Sequence, residues 1–145
     1  MDFDPEPIQY GKDHYYKELS EPQQKRINIK EGNVLDKDLE KVDFLSAQNF
    51  SYYIFKTRDE LRAYFKNACE GTKDDGVFMV DCFGGSQCME PNEEETEHDG
   101  NWSYFWDQDS YDPVTNFAQF YIHFKRKGEK KREQVFSYDW RMWTI

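Results

Sequence analysis

From Trp102 onward the chain alternates. Apolar side chains recur at every second position in three successive runs: Trp102, Tyr104 and Trp106; Ala118, Phe120, Ile122 and Phe124; Phe136, Tyr138, Trp140 and Met142. Neighbouring side chains on a strand point to opposite faces, so a period of two gathers each set on one side of a sheet. Turn formers separate the runs: Asp112-Pro113 with Asn116, then Lys127-Gly128-Glu129. The pattern predicts an antiparallel three-stranded meander with one buried face. The basic cluster Lys125, Arg126, Lys127, Lys130, Lys131 and Arg132 falls at a hairpin tip, where charge keeps a sheet edge from pairing. Glu93, Glu94, Glu95, Glu97 and Asp99, just before the meander, read as a solvated loop.

The first half has a different grammar. Asp4 followed by Pro5 is a helix start, with Ile8, Tyr15 and Leu19 on one face and a break at Glu21-Pro22. Arg26 to Lys30 (RINIK) predicts a short strand and Gly32-Asn33 a turn. Val42 to Ala47 (VDFLSA) and Gly76 to Phe83 (GVFMVDCF) read as buried strands of the parallel type. Between them Thr57 and Glu60 form a capping box ahead of a helix with the stripe Leu61, Tyr64, Phe65 and Ala68, closed by Gly71. Strand, helix, strand is a βαβ unit, and its two strands should be parallel neighbours.

At 145 residues the chain is long enough for one domain with a real core. Asp and Glu number 29 against 19 Lys and Arg, a net charge of −10, which disfavours nucleic-acid backbones and anionic membranes as partners. Cys69, Cys82 and Cys88 make neither a disulfide framework nor a zinc pattern, and the scattered His14, His98 and His123 give no metal site. Asp107, Asp109 and Asp112 lack the glycine and terminal Glu of a calcium loop. With no signal peptide and no long apolar run, the chain reads as soluble and cytoplasmic.

The segments DFDPEPIQYG, EGNVLD, VDFLSAQNFSYYIFKTRDEL and GVFMVDCFGG resemble consecutive parts of the class I S-adenosylmethionine-dependent methyltransferases. YFWDQDSYDPVTNFAQFYIHF and FSYDWRMWT resemble the antiparallel insertion that this family carries after its fifth strand. The resemblance implies an α/β fold: a truncated Rossmann-like methyltransferase sheet with a three-stranded antiparallel meander at its C-terminal end. It implies one partial domain, Rossmann-like over 1–86 and antiparallel over 87–145. It also implies that a first strand, a glycine-rich turn and most of a second strand are missing from the middle of the sheet. Without those neighbours, RINIK is expected to pair directly with VDFLSA.

S-adenosylmethionine is the cofactor the resemblance implies. Asp2 matches the acid that accepts the ribose hydroxyls, or is an N-terminal acid without a role. Asn33 stands where the family usually has an acid near the adenine, with Val34 beside it; its carbonyl can accept the adenine amino group, or it is a turn residue. The loop Gln48-Asn49-Phe50-Ser51-Tyr52 falls beside the transferring methyl, with Asn49 toward the cofactor and Ser51 and Tyr52 toward the substrate, or is an ordinary loop. Phe83-Gly84-Gly85 lies at the same ligand edge, where glycines permit close backbone approach. No catalytic residue is assigned; Tyr52 is the one base candidate. The expected function is methyl transfer to a small-molecule acceptor once missing segments complete the chain, with a homo-oligomer or a completing polypeptide as partner. The alternative is a non-catalytic interaction module or a gene fragment with a degenerate methyltransferase fold.

Overall fold

The computed structural model describes residues 1–36 and 40–144. Two compact units emerge, one formed by Met1–Leu45 with Arg62–Phe78 and the other by Ser46–Leu61 with Met79–Ile145.

In the first unit, Asp4 caps helix α1 (Pro5–His14) by accepting the N–H of Glu6 at 2.9 Å, with Pro5 at the first helical position. The helix ends sooner than its apolar spacing suggests. Ile8 is buried, but Tyr15 is the C-cap and is exposed, and a single 3-10 turn (Tyr16–Glu18) follows. Pro22 does not end a helix; it sits at the start of α2 (Glu21–Gln24), where Ser20 and Gln23 form a capping box.

RINIK forms no ladder with VDFLSA. Its first two residues continue the turn of α2, with Arg26 N–H donating to the Gln23 carbonyl at 3.0 Å and Ile27 N–H to that of Gln24 at 3.1 Å. The remaining three pair with neither strand of the β1–β2 sheet, and Ile27 stays exposed. The extended stub makes one parallel bridge, Asp2 to Glu31. The Asp2 N–H donates to the Lys30 carbonyl at 3.2 Å, and the Gly32 N–H donates to the Asp2 carbonyl at 2.9 Å.

Strands β1 (Val42–Ala47) and β2 (Thr72–Val80) form the expected parallel pair, linked through helix α3 (Arg58–Glu70). The capping box is present: Thr57 Oγ1 accepts the Glu60 N–H at 3.2 Å, and Glu60 Oε2 accepts the Thr57 N–H at 2.8 Å. Tyr64 and Ala68 of α3 are buried, and the rings of Tyr64 and Phe65 each meet Phe78 edge-on. Gly76 is required by close approach, since a Cβ there would lie 2.6 Å from Thr72 Cγ2 and 2.9 Å from the Asp43 carbonyl oxygen. These strands are not buried on both faces as their composition predicts: Phe44 is 57% exposed and Val77 56%. A hydrophobic strand is buried only as far as neighbours cover it, and the sheet has two strands.

The second unit holds a separate antiparallel sheet in the order β3-β4-β5-β6: Asn92–His98, Trp102–Tyr111, Phe117–Arg126 and Arg132–Arg141. The three alternating runs are β4, β5 and β6. The acidic stretch is not a loop; it is a fourth strand, β3, at the edge, with Glu94 opposite Trp106 and Glu93 opposite Asp107. Charge is tolerated there because one side of an edge strand faces no neighbour. The aromatic face carries Phe120 and Trp140 into the core, with Phe120 fully buried. Asp112 holds the β4–β5 turn by accepting the Val114 N–H at 2.9 Å and the Thr115 hydroxyl at 2.5 Å. Lys131 folds back from the second turn onto Glu93 at 2.5 Å and over the Phe105 ring.

Candidate functional site

The aromatic face of the four-stranded sheet is the floor of a cavity of about 440 Å³ within the second unit. Tyr104, Trp106, Ile122, Tyr138 and Trp140 rise from β4, β5 and β6. The floor rings abut: Tyr138 and Trp140 have centroids 4.9 Å apart, Trp106 and Trp140 6.0 Å, and Trp106 and Tyr138 6.2 Å. Phe50 and Phe83 supply a wall, 5.4 Å apart, and Phe50 meets Trp140 edge-on. Asn49 is the non-aromatic polar group at the rim.

The turn carrying Asn49 and Phe50 is strained and held. Both residues have left-handed backbones, with φ of 58° and 53°. Asn visits that region readily, whereas a bulky Phe does so only when its surroundings compel it. Asp81, just past β2, supplies the constraint. Its Oδ2 accepts the Asn49 N–H at 2.8 Å and its Oδ1 accepts the Phe50 N–H at 2.9 Å. A carboxylate with one oxygen for each N–H turns the chain so that both side chains line the cavity. Sequence reasoning missed Asp81. Its signal was an acid inside the apolar run GVFMVDCF.

Tyr53 locks the next segment. It is fully buried, and its hydroxyl donates to the Phe83 carbonyl at 2.8 Å while lying 3.2 Å from Cys82 Sγ. Burial, reinforced by that contact, pushes its phenol well up from the ordinary value. Tyr52 is buried edge-on to Tyr53, and burial with the neighbouring Cys82 pushes its hydroxyl up to about 12. A phenol so shifted stays protonated near neutral pH, so Tyr52 does not serve as a base there. Burial likewise raises Tyr104 and Tyr138, which face the cavity as neutral hydroxyls.

A second cavity of about 390 Å³ adjoins the first and shares Phe83 and Trp106 with it. Gly84, Gly85 and Gln108 line it, and Glu94 is its one charged side chain. Gln108 is buried and ties the wall together, its amide donating to the carbonyls of Gln87 (3.2 Å) and Glu90.

The remaining sequence candidates divide between the two units. Asn49, Ser51 and Tyr52 belong to the second, with Ser51 exposed. Asp2, Asn33 and Val34 belong to the first, where the Asp2–Glu31 bridge brings Asp2 beside the Gly32-Asn33 turn. Asp2 Oδ1 accepts the Asp4 N–H at 3.0 Å, leaving Oδ2 for another donor. Asn33 Oδ1 accepts the Leu35 N–H at 2.9 Å, so the residue is at least a turn former. The Val34 carbonyl accepts the Asn67 amide at 2.6 Å.

One grouping was invisible to spacing. Glu93, Asp107 and buried His123 place potential ligand atoms within 4.8 Å of one another. The hydrogen bonds argue against a metal there. His123 Nδ1 accepts the Gln134 N–H at 2.7 Å, so the neutral ring carries its proton on Nε2, 3.0 Å from Asp107 Oδ2. That nitrogen has no lone pair to give. The triad is a structural tie across β3, β4 and β5.

No family model matches the sequence, and no curated protein matches it. Solved structures do match. A S-adenosylmethionine-dependent methyltransferase from Clostridium acetobutylicum ATCC 824 superposes on 97% of this chain and 56% of its own, with 19% identity and a TM-score of 0.69. The sugar N-methyltransferase KedS8 from Streptoalloteichus sp ATCC 53650 covers 83% of this chain and 51% of its own, at 12% identity and a TM-score of 0.57. CalS10, an amino pentose methyltransferase from Micromonospora echinaspora with S-adenosylmethionine bound, covers 79% and 50%, at 13% identity and a TM-score of 0.58. The chain spans about half the length of the solved structures it matches.

Proposed function

We propose, from the S-adenosylmethionine-dependent methyltransferase fold that this chain has, that it is the acceptor-facing part of such an enzyme and acts on a small molecule. The observation that carries the reading is the match of nearly the whole chain, antiparallel sheet included, to a methyltransferase of known structure. The aromatic cavity beside the Asn49–Phe50 turn supports it, since a ligand sealed against rings is shielded from water and held in one pose.

On this reading the chain is one partial methyltransferase domain, and S-adenosylmethionine, when bound, supplies an activated methyl. Asp2, Asn33, Val34 and Asn49 contact the cofactor, and Ser51 and Tyr52 face the acceptor. Among the described residues no donor takes Asp2 Oδ2, which, beside the Asn33 turn, suits ribose hydroxyls. The chain works when completed by further polypeptide or by a second copy, and exposed Phe44 and Val77 on the two-stranded sheet support a need for covering. We place it in the cytoplasm; among the described residues no helix is long and apolar enough to cross a membrane.

The test is a fusion. The chain is joined behind the strand, glycine turn and helix of a solved methyltransferase of this fold and titrated with S-adenosylmethionine by calorimetry. The reading expects saturable binding in the fusion, weak or no binding by the chain alone, and roughly tenfold weaker binding after Asp2→Ala, the loss of one charge-assisted hydrogen bond. A fusion that binds nothing supports the non-catalytic alternative. Equal affinity with and without Asp2 removes that residue from the site.

A further inference from the structure

The cavity beside the Asn49–Phe50 turn holds no charge. Among the described residues, no lysine, arginine, histidine or carboxylate lines it. The cavity that adjoins it through Phe83 and Trp106 differs, with Glu94 and Gln108 in its wall. Burying an ion is costly unless a counter-charge meets it. An anionic ligand finds no cation in the first lining, and a cationic ligand finds no carboxylate. The lining therefore disfavours charge of either sign.

The arrangement of the rings selects further. Trp106 is tilted 35° from Tyr138 and 40° from Trp140, and Tyr138 is tilted 40° from Trp140, so the three make a shallow continuous trough. Phe120, fully buried, packs 5.2 Å from both Trp106 and Trp140 and fixes their tilt. Phe50 meets Trp140 at 82°, so the wall rises steeply from the floor. A flat ring laid along such a trough gains offset stacking beyond the area it buries; a saturated ring of the same outline does not. Asn49 at the rim and the protonated hydroxyls of Tyr104 and Tyr138 can hydrogen-bond an uncharged oxygen. A volume of about 440 Å³ is within the range that holds small organic ligands.

We propose that this cavity binds an uncharged, flat ring compound bearing a hydroxyl or carbonyl group. The binding stands on the chain's own rings; that the ring belongs to the methyl acceptor rests on the methyltransferase reading.

The experiment needs no cofactor. The full chain is titrated by calorimetry at neutral pH with bicyclic probes of one outline: 2-naphthol, 2-naphthoate, 2-naphthylmethylammonium and decahydro-2-naphthol. 2-Naphthol should bind roughly tenfold more tightly than either ion, because the ions lose water without gaining a counter-charge. It should bind roughly fivefold more tightly than the saturated alcohol, the contribution of stacking. The indole N–H resonance of Trp140 should move with 2-naphthol. That of Trp143, which donates to the Phe55 carbonyl at 2.9 Å and does not line the cavity, should stay. Trp106→Leu should remove the preference for the aromatic alcohol, with far-ultraviolet circular dichroism confirming the sheet; the probe series on the unaltered chain decides the matter even if that variant fails to fold. Equal or tighter binding of either ion, equal binding of the saturated alcohol, or no binding of 2-naphthol overturns the proposal. A fusion that binds S-adenosylmethionine while the chain ignores 2-naphthol would leave the methyltransferase reading standing, and the reverse would leave a ring-binding cavity without that cofactor.

Discussion

Replacing Asp81 with alanine removes the two bonds that hold the Asn49–Phe50 turn. A hydrogen bond to a charged group contributes about 1.5–3 kcal/mol. Asp81 is half-buried, so water screens part of that, and the lower end applies to each bond. The left-handed backbone of Phe50 works in the opposite direction. Such a conformation in a non-glycine residue costs about 1–2 kcal/mol, and it persists only while something opposes relaxation. Without the carboxylate the turn relaxes, which returns part of that strain and softens the loss. The expected destabilisation is about 1–3 kcal/mol for Asp81→Ala. Asp81→Asn keeps one acceptor but turns an amide toward the second N–H, and should lose about half as much. Urea unfolding followed by tryptophan fluorescence measures both, with m-values confirming a single transition. Phe50 should also leave the cavity wall and its edge-on contact with Trp140, so the native-state tryptophan fluorescence should shift in Asp81→Ala even well below the urea midpoint. A loss under about 0.5 kcal/mol for the alanine variant would refute the clamp, because a bond pair of this geometry cannot be worth so little.

Tyr53→Phe deletes a buried hydroxyl and leaves the Phe83 carbonyl without that donor, so stability should drop by about 1–3 kcal/mol in the same urea assay. Gly76→Ala drives a Cβ against Thr72 and the Asp43 carbonyl; displacing strand backbone should cost about 1–3 kcal/mol and lower Tm. The Thr115 hydroxyl, followed by the Val114 N–H, holds the Asp112 carboxyl below the usual carboxylate range. A depressed folded-state pKa means the stabilisation is present above the unfolded value of about 3.9 and is lost as pH falls through the folded one. The acid limb of the stability profile should flatten in Asp112→Asn, and an unchanged profile would show the turn indifferent to its charge.

Much of this protein was legible in its residues. The alternating runs became β4, β5 and β6 because a period of two leaves an aromatic sequence one way to gather its rings. Thr57 and Glu60 announced α3, and Asp4-Pro5 announced α1, because caps act through bonds only a few residues long. The acidic stretch was misread because composition reports solvation and not pairing. Glu93 and Glu94 became strand residues only because β4 presents a free edge to them. RINIK was misread for the converse reason: strand propensity makes no strand without a partner, and the end of α2 claims its first residues.

The sequence by itself determined the elements whose causes are local: the helix caps, the turns at Asp112 and Gly128, and the alternation that makes one face of a sheet aromatic. It also carried the resemblance that named the fold. Only the tertiary structure could decide which distant groups meet. Asp81 reaches back to Asn49 across 32 positions and to Phe50 across 31. His123 meets Glu93 and Asp107 through three strands, while its Nδ1 accepts the Gln134 N–H. The exposure of Phe44 and Val77 was likewise decided by which strands are present to cover them. Hydrogen bonds and burial depend on distance in space, and a sequence pattern encodes that distance only within the few residues over which the backbone geometry is fixed.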